Sequence, residues 1–157
     1  MPMIEISKVE HEGDQLNIIR QLFRDYENEL GENLCFQSFE EELQHPLKKY
    51  AAPRGVIFLA KYNNEVAGCI ALYELNADDC EMKRLYVKPR FRKNNIAQSL
   101  VEALIQHAKT QCFKTMKLDT LEKLQPAIKL YKKNGFEETT AYYENPLPGV
   151  VYMEKPL

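Results

Sequence analysis

Between Cys80 and Asp119 the chain reads strand, helix, strand, and that run limits its fold more than any other feature. Cys80 to Val87 is a strand-like run, and Ile96 to Thr110 carries one apolar stripe at helical spacing. Lys114 to Asp119 is again a short strand with Met116 and Leu118 as its apolar positions. A helix joined tightly to strands at both ends returns the second strand parallel to the first. The joint between the first strand and the helix, VKPRFRKNNIA from Val87 to Ala97, is the most informative stretch. Pro89 stops the strand, Arg92 and Lys93 add positive charge, and Asn94 and Asn95 supply a turn, since Asn tolerates left-handed backbone. The helix opens directly behind them. Such a junction points backbone N–H groups outward with the helix dipole behind. It is an anion cradle, and the anion it suits is a pyrophosphate.

The rest of the chain is mixed. Met3 to Val9 has the alternation of a first strand. Asp14 is placed to cap a helix in which Leu16, Ile19, Leu22, Phe23, Tyr26 and Leu30 recur at helical spacing, and Gly31 breaks it. Ser38 and Glu41 have capping-box spacing for a second, short helix that ends near Pro46, followed by a loop from Lys48 to Gly55. Val56 to Tyr62 and Glu65 to Glu74 read as two strands joined by the turn Asn63-Asn64. Pro126 suits the first turn of a last helix, and Gly135 ends it. Phe136 to Tyr143 and Val150 to Glu154 close the chain as two strands. The order is one strand, two helices, three strands, helix, strand, helix, two strands. It implies an α+β fold with one local parallel unit.

With 157 residues and a net charge of −2, the chain has room for one sizeable core and no bulk charge for nucleic acid. No apolar run reaches membrane-spanning length, and MPMIEISKVE lacks the pattern of a signal peptide. Cys35, Cys69, Cys80 and Cys112 form no CxxC pair and have no His at ligand spacing. They read as free thiols of a reducing cytosol, which places the chain in the cytoplasm and gives no metal site. His11, His45 and His107 are scattered and read as surface residues.

The segment Arg92-Lys93-Asn94-Asn95-Ile96-Ala97 resembles the acyl-CoA-binding signature of the Gcn5-related N-acetyltransferase (GNAT) family, Arg/Gln-x-x-Gly-x-Gly/Ala. Asn95 stands where the family usually has Gly. A second segment, Ala127 to Phe136, resembles the family's A-x-x-L-Y-x-x-x-G-F. The element order is also that of the family, so the resemblance spans nearly the whole chain. It is specific from Glu81 to Phe136 and loose before Val56. It implies a single N-acetyltransferase domain over residues 1–157, with a mixed sheet of about seven strands, a splayed parallel pair and about four helices.

The resemblance also implies roles for residues. The splayed strand would bind the pantetheine arm through the backbone of Leu85, Tyr86 and Val87, with the thioester carbonyl meeting an N–H near Val87. Arg92, Lys93, Asn94, Asn95, Ile96 and Ala97 would hold the pyrophosphate. Tyr131 would protonate the coenzyme A thiolate; without the motif it reads as a half-buried helix residue. Glu81, eleven positions before Arg92, would be the general base, directly or through water. Its other reading is a glutamate paired with Lys83 on the same strand face. Leu124 replaces an Asn that in many members bonds the pantetheine. Lys132, Lys133, Arg84 and Lys88 could approach the phosphates or lie in solvent, and Asp119-Thr120 faces the mouth of the expected cleft or forms a plain strand-end turn. Tyr142, Tyr143 and Glu144, and Tyr26, Glu27 and Glu29, could line an amine site. Cys80 has no His partner to activate it as a nucleophile.

The sequence therefore implies an acetyl-CoA-dependent N-acetyltransferase working by direct transfer in a ternary complex, on a small-molecule or peptide amine. It implies no metal, nucleic-acid or membrane partner, and the final hairpin offers a surface for a homodimer. The alternative is a non-catalytic acyl-CoA-binding regulatory module, which would keep the cradle but need neither Glu81 nor Tyr131.

Overall fold

The structure is a computed structural model that describes residues 2–157. Seven strands form one sheet in the order β1-β2-β3-β4-β5-β7-β6. They are β1 (Ile4–Lys8), β2 (Val56–Tyr62), β3 (Glu65–Glu74), β4 (Asp79–Val87), β5 (Thr115–Leu121), β6 (Glu137–Thr139) and β7 (Val150–Pro156). The helices are α1 (Asp14–Leu30), α2 (Phe39–Gln44), α3 (Pro46–Lys49), α4 (Ile96–Thr110) and α5 (Gln125–Lys133). All neighbouring strands are antiparallel except β4 and β5, the two ends of the unit that crosses over through α4. The α+β fold expected from the element order is the fold observed.

Apolar side chains leave the sheet on both faces and build two cores. Phe58, Ile70, Leu72, Met82 and Val87 meet Leu100, Val101 and Leu104 of α4 on one face. Ile57, Leu59, Cys69 and Ala71 meet Leu16, Ile19, Leu22 and Phe23 of α1, with Phe39 of α2, on the other. The β2–β3 hairpin turns at Asn63 and Asn64, both in left-handed backbone (φ 49° and 68°), as a two-residue turn between twisted strands requires.

Several local expectations need correction. The second helix is two short ones, because Pro46 offers no N–H and forces His45 out of helical backbone (φ −133°, ψ 63°). This gives five α-helices among the described residues, and α3 occupies the start of the expected 48–55 loop. Ser38 makes no side-chain cap bond. It sits in left-handed backbone (φ 56°), where its N–H closes the 3₁₀ turn Cys35–Gln37. The cap position of α1 is Gly13, and Asp14 is the acidic residue of the first turn. The strand expected over 136–143 keeps only Glu137–Thr139. His107 is buried, not on the surface: it continues the stripe of Leu100 and Leu104, and its Nε2 lies 3.1 Å from Pro53 O and 3.2 Å from Arg54 O. Its spacing from Leu100 and Leu104 along α4 is the physical reason, since it puts the ring on the helix's inner face.

Candidate active site

The parallel strands β4 and β5 pair only at their beginnings. The ladder runs through Asp79↔Thr115, Cys80↔Met116 and Glu81↔Lys117 and stops, although β4 continues to Val87 and β5 to Leu121. The diverging ends frame a cleft of about 580 Å³. Beyond the fork, backbone groups on the facing edges are open to a ligand able to lie as an added strand.

The far end of β4 is shaped by a bulge. Gly68 and Cys69 oppose Val87 and Tyr86, while Ala71 opposes Lys83, so β4 carries one extra residue. Arg84 takes up the insertion in left-handed backbone (φ 60°), a conformation that costs a non-glycine residue energy and marks a built feature. Gly68 lets β3 approach here: a Cβ on it would lie 2.4 Å from Tyr86 O. A glycine inside an otherwise apolar strand signals such an approach.

Leu85, Tyr86, Val87, Arg92, Lys93, Asn95, Ile96 and Ala97 all line the cleft. Asn94 does not; its side-chain amide turns back to Phe91 O (2.9 Å) and Arg92 O (3.2 Å) and ties the loop. Asn95 is the cap residue of α4 in left-handed backbone (φ 66°), and Lys93 is left-handed as well (φ 67°). Left-handed residues between right-handed and extended ones turn successive N–H groups toward one concavity, which suits an anion. Arg92 is held by its own Nε donating to Val87 O (2.9 Å) and by Glu29 of α1 (2.5 Å), and its pKa is raised by that bond to Glu29.

Arg92→Glu should weaken binding of acetyl-CoA about ten- to hundred-fold, since it removes a charge-assisted donor and sets a second carboxylate beside Glu29. Equal affinity by calorimetry would remove the cradle from the coenzyme site. Asn95→Gly should be tolerated, because the backbone already has the geometry that glycine prefers.

Tyr131 lines the cleft from α5, buried to 8 % exposure, with its ring edge-on to Phe136 at 6.0 Å. Its hydroxyl has no hydrogen-bond partner among the described residues. Burial pushes its pKa up, so the phenol stays protonated at neutral pH. Leu124, the residue in place of the expected Asn, also lines the cleft and puts an apolar group there.

Glu81 lies at the last rung before the fork, 4 % exposed and behind the cleft wall. Its Oε2 accepts from Tyr142 Oη at 2.5 Å, and its Oε1 lies 3.6 Å from Lys83 Nζ. The carboxylate is buried beside the fork, and it is paired with Lys83, the partner its second sequence reading named. Asp119, on β5, does line the cleft. Its Oδ2 accepts from Tyr143 Oη and from Asn145 Nδ2 (2.7 Å), while its Oδ1 has no partner among the described residues. Burial, and then the neighbouring carboxylates, hold both tyrosine phenols protonated. The expected strand ends at Thr139 because the chain beyond turns these rings onto Glu81 and Asp119.

Arg84 is not a phosphate ligand. It is 3 % exposed and grips Glu42 with two bonds of 2.8 Å, with a third to Gln37 Oε1 (2.9 Å). Gln37 in turn donates to Tyr143 Oη at 3.0 Å. Of the residues important to this end of the cleft, Gln37, Glu42 and Asn145 carried no motif and could not be singled out from sequence.

A parallel pair that opens over a basic, left-handed turn and a helix N-terminus is the architecture of the acyl-CoA N-acyltransferase fold. Comparison with known proteins agrees. The sequence model of the Acetyltransferase (GNAT) family matches residues 16–136. An uncharacterised N-acetyltransferase of Schizosaccharomyces pombe is 41% identical over 152 residues, covering 96% of this chain and 93% of the relative. An acetyltransferase from Streptococcus agalactiae has the same fold, with a TM-score of 0.82 at 22% identity over 98% of each chain. A GNAT family acetyltransferase from Elizabethkingia anophelis, solved with acetyl-CoA bound, superposes with a TM-score of 0.71 at 23% identity, covering 98% of each chain. The chain belongs to the Acetyltransferase (GNAT) family. Among the described residues no helix is long and apolar enough to cross a membrane.

Proposed function

We propose that the protein is a single-domain N-acetyltransferase that moves an acetyl group from acetyl-CoA to a primary amine in a ternary complex. The observation that carries the reading is the fork between β4 and β5, opening directly onto the 92–97 turn on one side and Tyr131 on the other. The thioester arm lies along the open edge of Leu85, Tyr86 and Val87, and the pyrophosphate sits on the N–H groups of the turn. Family membership and the acetyl-CoA of the Elizabethkingia neighbour support this cosubstrate.

In the reaction the amine nitrogen attacks the thioester carbon, and backbone N–H near Val87 takes the developing oxyanion. The C–S bond then breaks, and Tyr131 supplies the hydrogen bond and proton that the leaving thiolate needs. Glu81, behind the wall, takes the ammonium proton through water and not by contact. Cys80 is no covalent relay: burial pushes its thiol up to about 12, so no thiolate forms at neutral pH. Retention of Tyr131 on the cleft wall favours catalysis over the non-catalytic acyl-CoA-binding module. Direct transfer predicts intersecting initial-velocity lines when amine and acetyl-CoA are varied together; parallel lines would indicate an acyl-enzyme.

An amine of pKa about 10 is almost wholly protonated at neutral pH, so a base matters most at low pH. Glu81→Gln should therefore depress kcat/KM most at low pH, with the defect shrinking as free amine accumulates. A defect that does not change with pH would assign Glu81 a structural role through Lys83 and Tyr142.

A further inference from the structure

The fork carries two opposite charges that do not pair with each other. The last paired rung is Glu81↔Lys117, so Lys83 and Asp119 occupy the next same-face positions on the two strands as these part. Both line the cleft, yet among the described residues no ion pair joins them.

Lys83 is buried: its side chain is 5% exposed. Its ammonium has three donors, and among the described residues it makes no hydrogen bond; its one ionic neighbour is Glu81 at 3.6 Å. A buried cation left in this state is costly, and desolvation lowers its pKa accordingly. An anion in the cleft would complete it. Asp119, half-buried, faces the same cleft with a free Oδ1, its Oδ2 being fixed by the neutral groups Tyr143 and Asn145. Arg84, the neighbouring cation, is already neutralised by Glu42 and cannot serve the same ligand. The hydrogen bond between Gln37 and Tyr143 ties the segment after α1 to the final loop beside this site.

We infer that the acceptor is a small aminocarboxylate, its carboxylate bound by Lys83 and its ammonium by Asp119 across the fork of β4 and β5. This rests on the acetyltransferase reading and narrows its substrate. Lys83 is then a residue of acceptor specificity, and Asp119 holds the amine until its proton leaves.

The test is thiol release from acetyl-CoA with matched sets of acceptors, each an amino acid, its carboxamide and its decarboxylated amine. The sets cover the common α-amino acids, β-alanine and γ-aminobutyrate, with rates corrected for free amine at the assay pH. In the wild type, at least one acid should exceed its two partners in kcat/KM by about ten- to hundred-fold. Lys83→Met should collapse that ratio, and Lys83→Arg should restore part of it. Equal kcat/KM within every set, or a preference that survives Lys83→Met, overturns the inference and leaves the acetyltransferase reading standing. The wild-type comparison decides the matter even where Lys83→Met does not fold. Thiol release that no amine in the sets accelerates overturns both.

Discussion

Tyr131→Phe should lower kcat about 100-fold while leaving coenzyme affinity nearly unchanged, within the range of about 10²–10⁴-fold that general acid catalysis contributes. Phenylalanine preserves the ring that packs on Phe136, and the lost hydroxyl bonds nothing else among the described residues, so stability should hardly move. The expected effect lies at the low end of that range for a physical reason. Burial keeps the phenol protonated and available, but it also makes it a weaker acid toward a thiolate. Single-turnover kinetics with a good acceptor, together with calorimetry for acetyl-CoA, separate the two quantities. An unchanged rate for the chemical step would reduce Tyr131 to a packing residue.

The largest stability effect is expected at Glu42. Its carboxylate takes two bonds from Arg84 and one from Tyr50 Oη at 2.9 Å, all out of solvent. Burial alone would raise its pKa, but the bonds and charge of Arg84 outweigh that and leave it below its ordinary value of 4.5. Glu42→Gln strands the buried Arg84 guanidinium and should cost about 3–5 kcal/mol. For a chain of this size that is a fall in Tm on the order of 10 °C. Replacing both partners by Met should cost less than Glu42→Gln alone, since no charge is then left unpaired. Because the folded pKa is depressed, the pair's contribution is present above pH 4.5 and fades as pH falls through the folded value. The acid limb of stability should therefore be shallower in Glu42→Gln. Denaturation that shows a loss below about 1 kcal/mol would mean that water reaches Arg84 and relieves it.

The cleft was legible where local chemistry dictates geometry. Pro89, Asn94 and Asn95 announce a strand stop and a turn, and the left-handed Asn95 is what the residue type suggests. Tyr131 is singled out only through the family resemblance of the Ala127–Phe136 segment, and it lines the cleft from α5. What failed to show depends on contacts between distant segments. Nothing near Arg84 indicates that an acid on α2 would bury it, so its charge read as free for phosphate or for solvent. The bulge that turns Arg84 onto Glu42 of α2 is an insertion relative to β3, visible only once the strands are aligned. The rings of Tyr142 and Tyr143 follow the same rule: they stand at the end of an expected strand, and the carboxylates of β4 and β5 hold them outside it.

Amine-dependent release of thiol from acetyl-CoA is the most direct test of the central claim. The wild type should release thiol in step with the acetylated amine formed, and Tyr131→Phe should bind the coenzyme as well but turn over about 100-fold more slowly. Protein that binds acetyl-CoA tightly yet releases no thiol with any amine would contradict the account and identify a binding module in place of an enzyme.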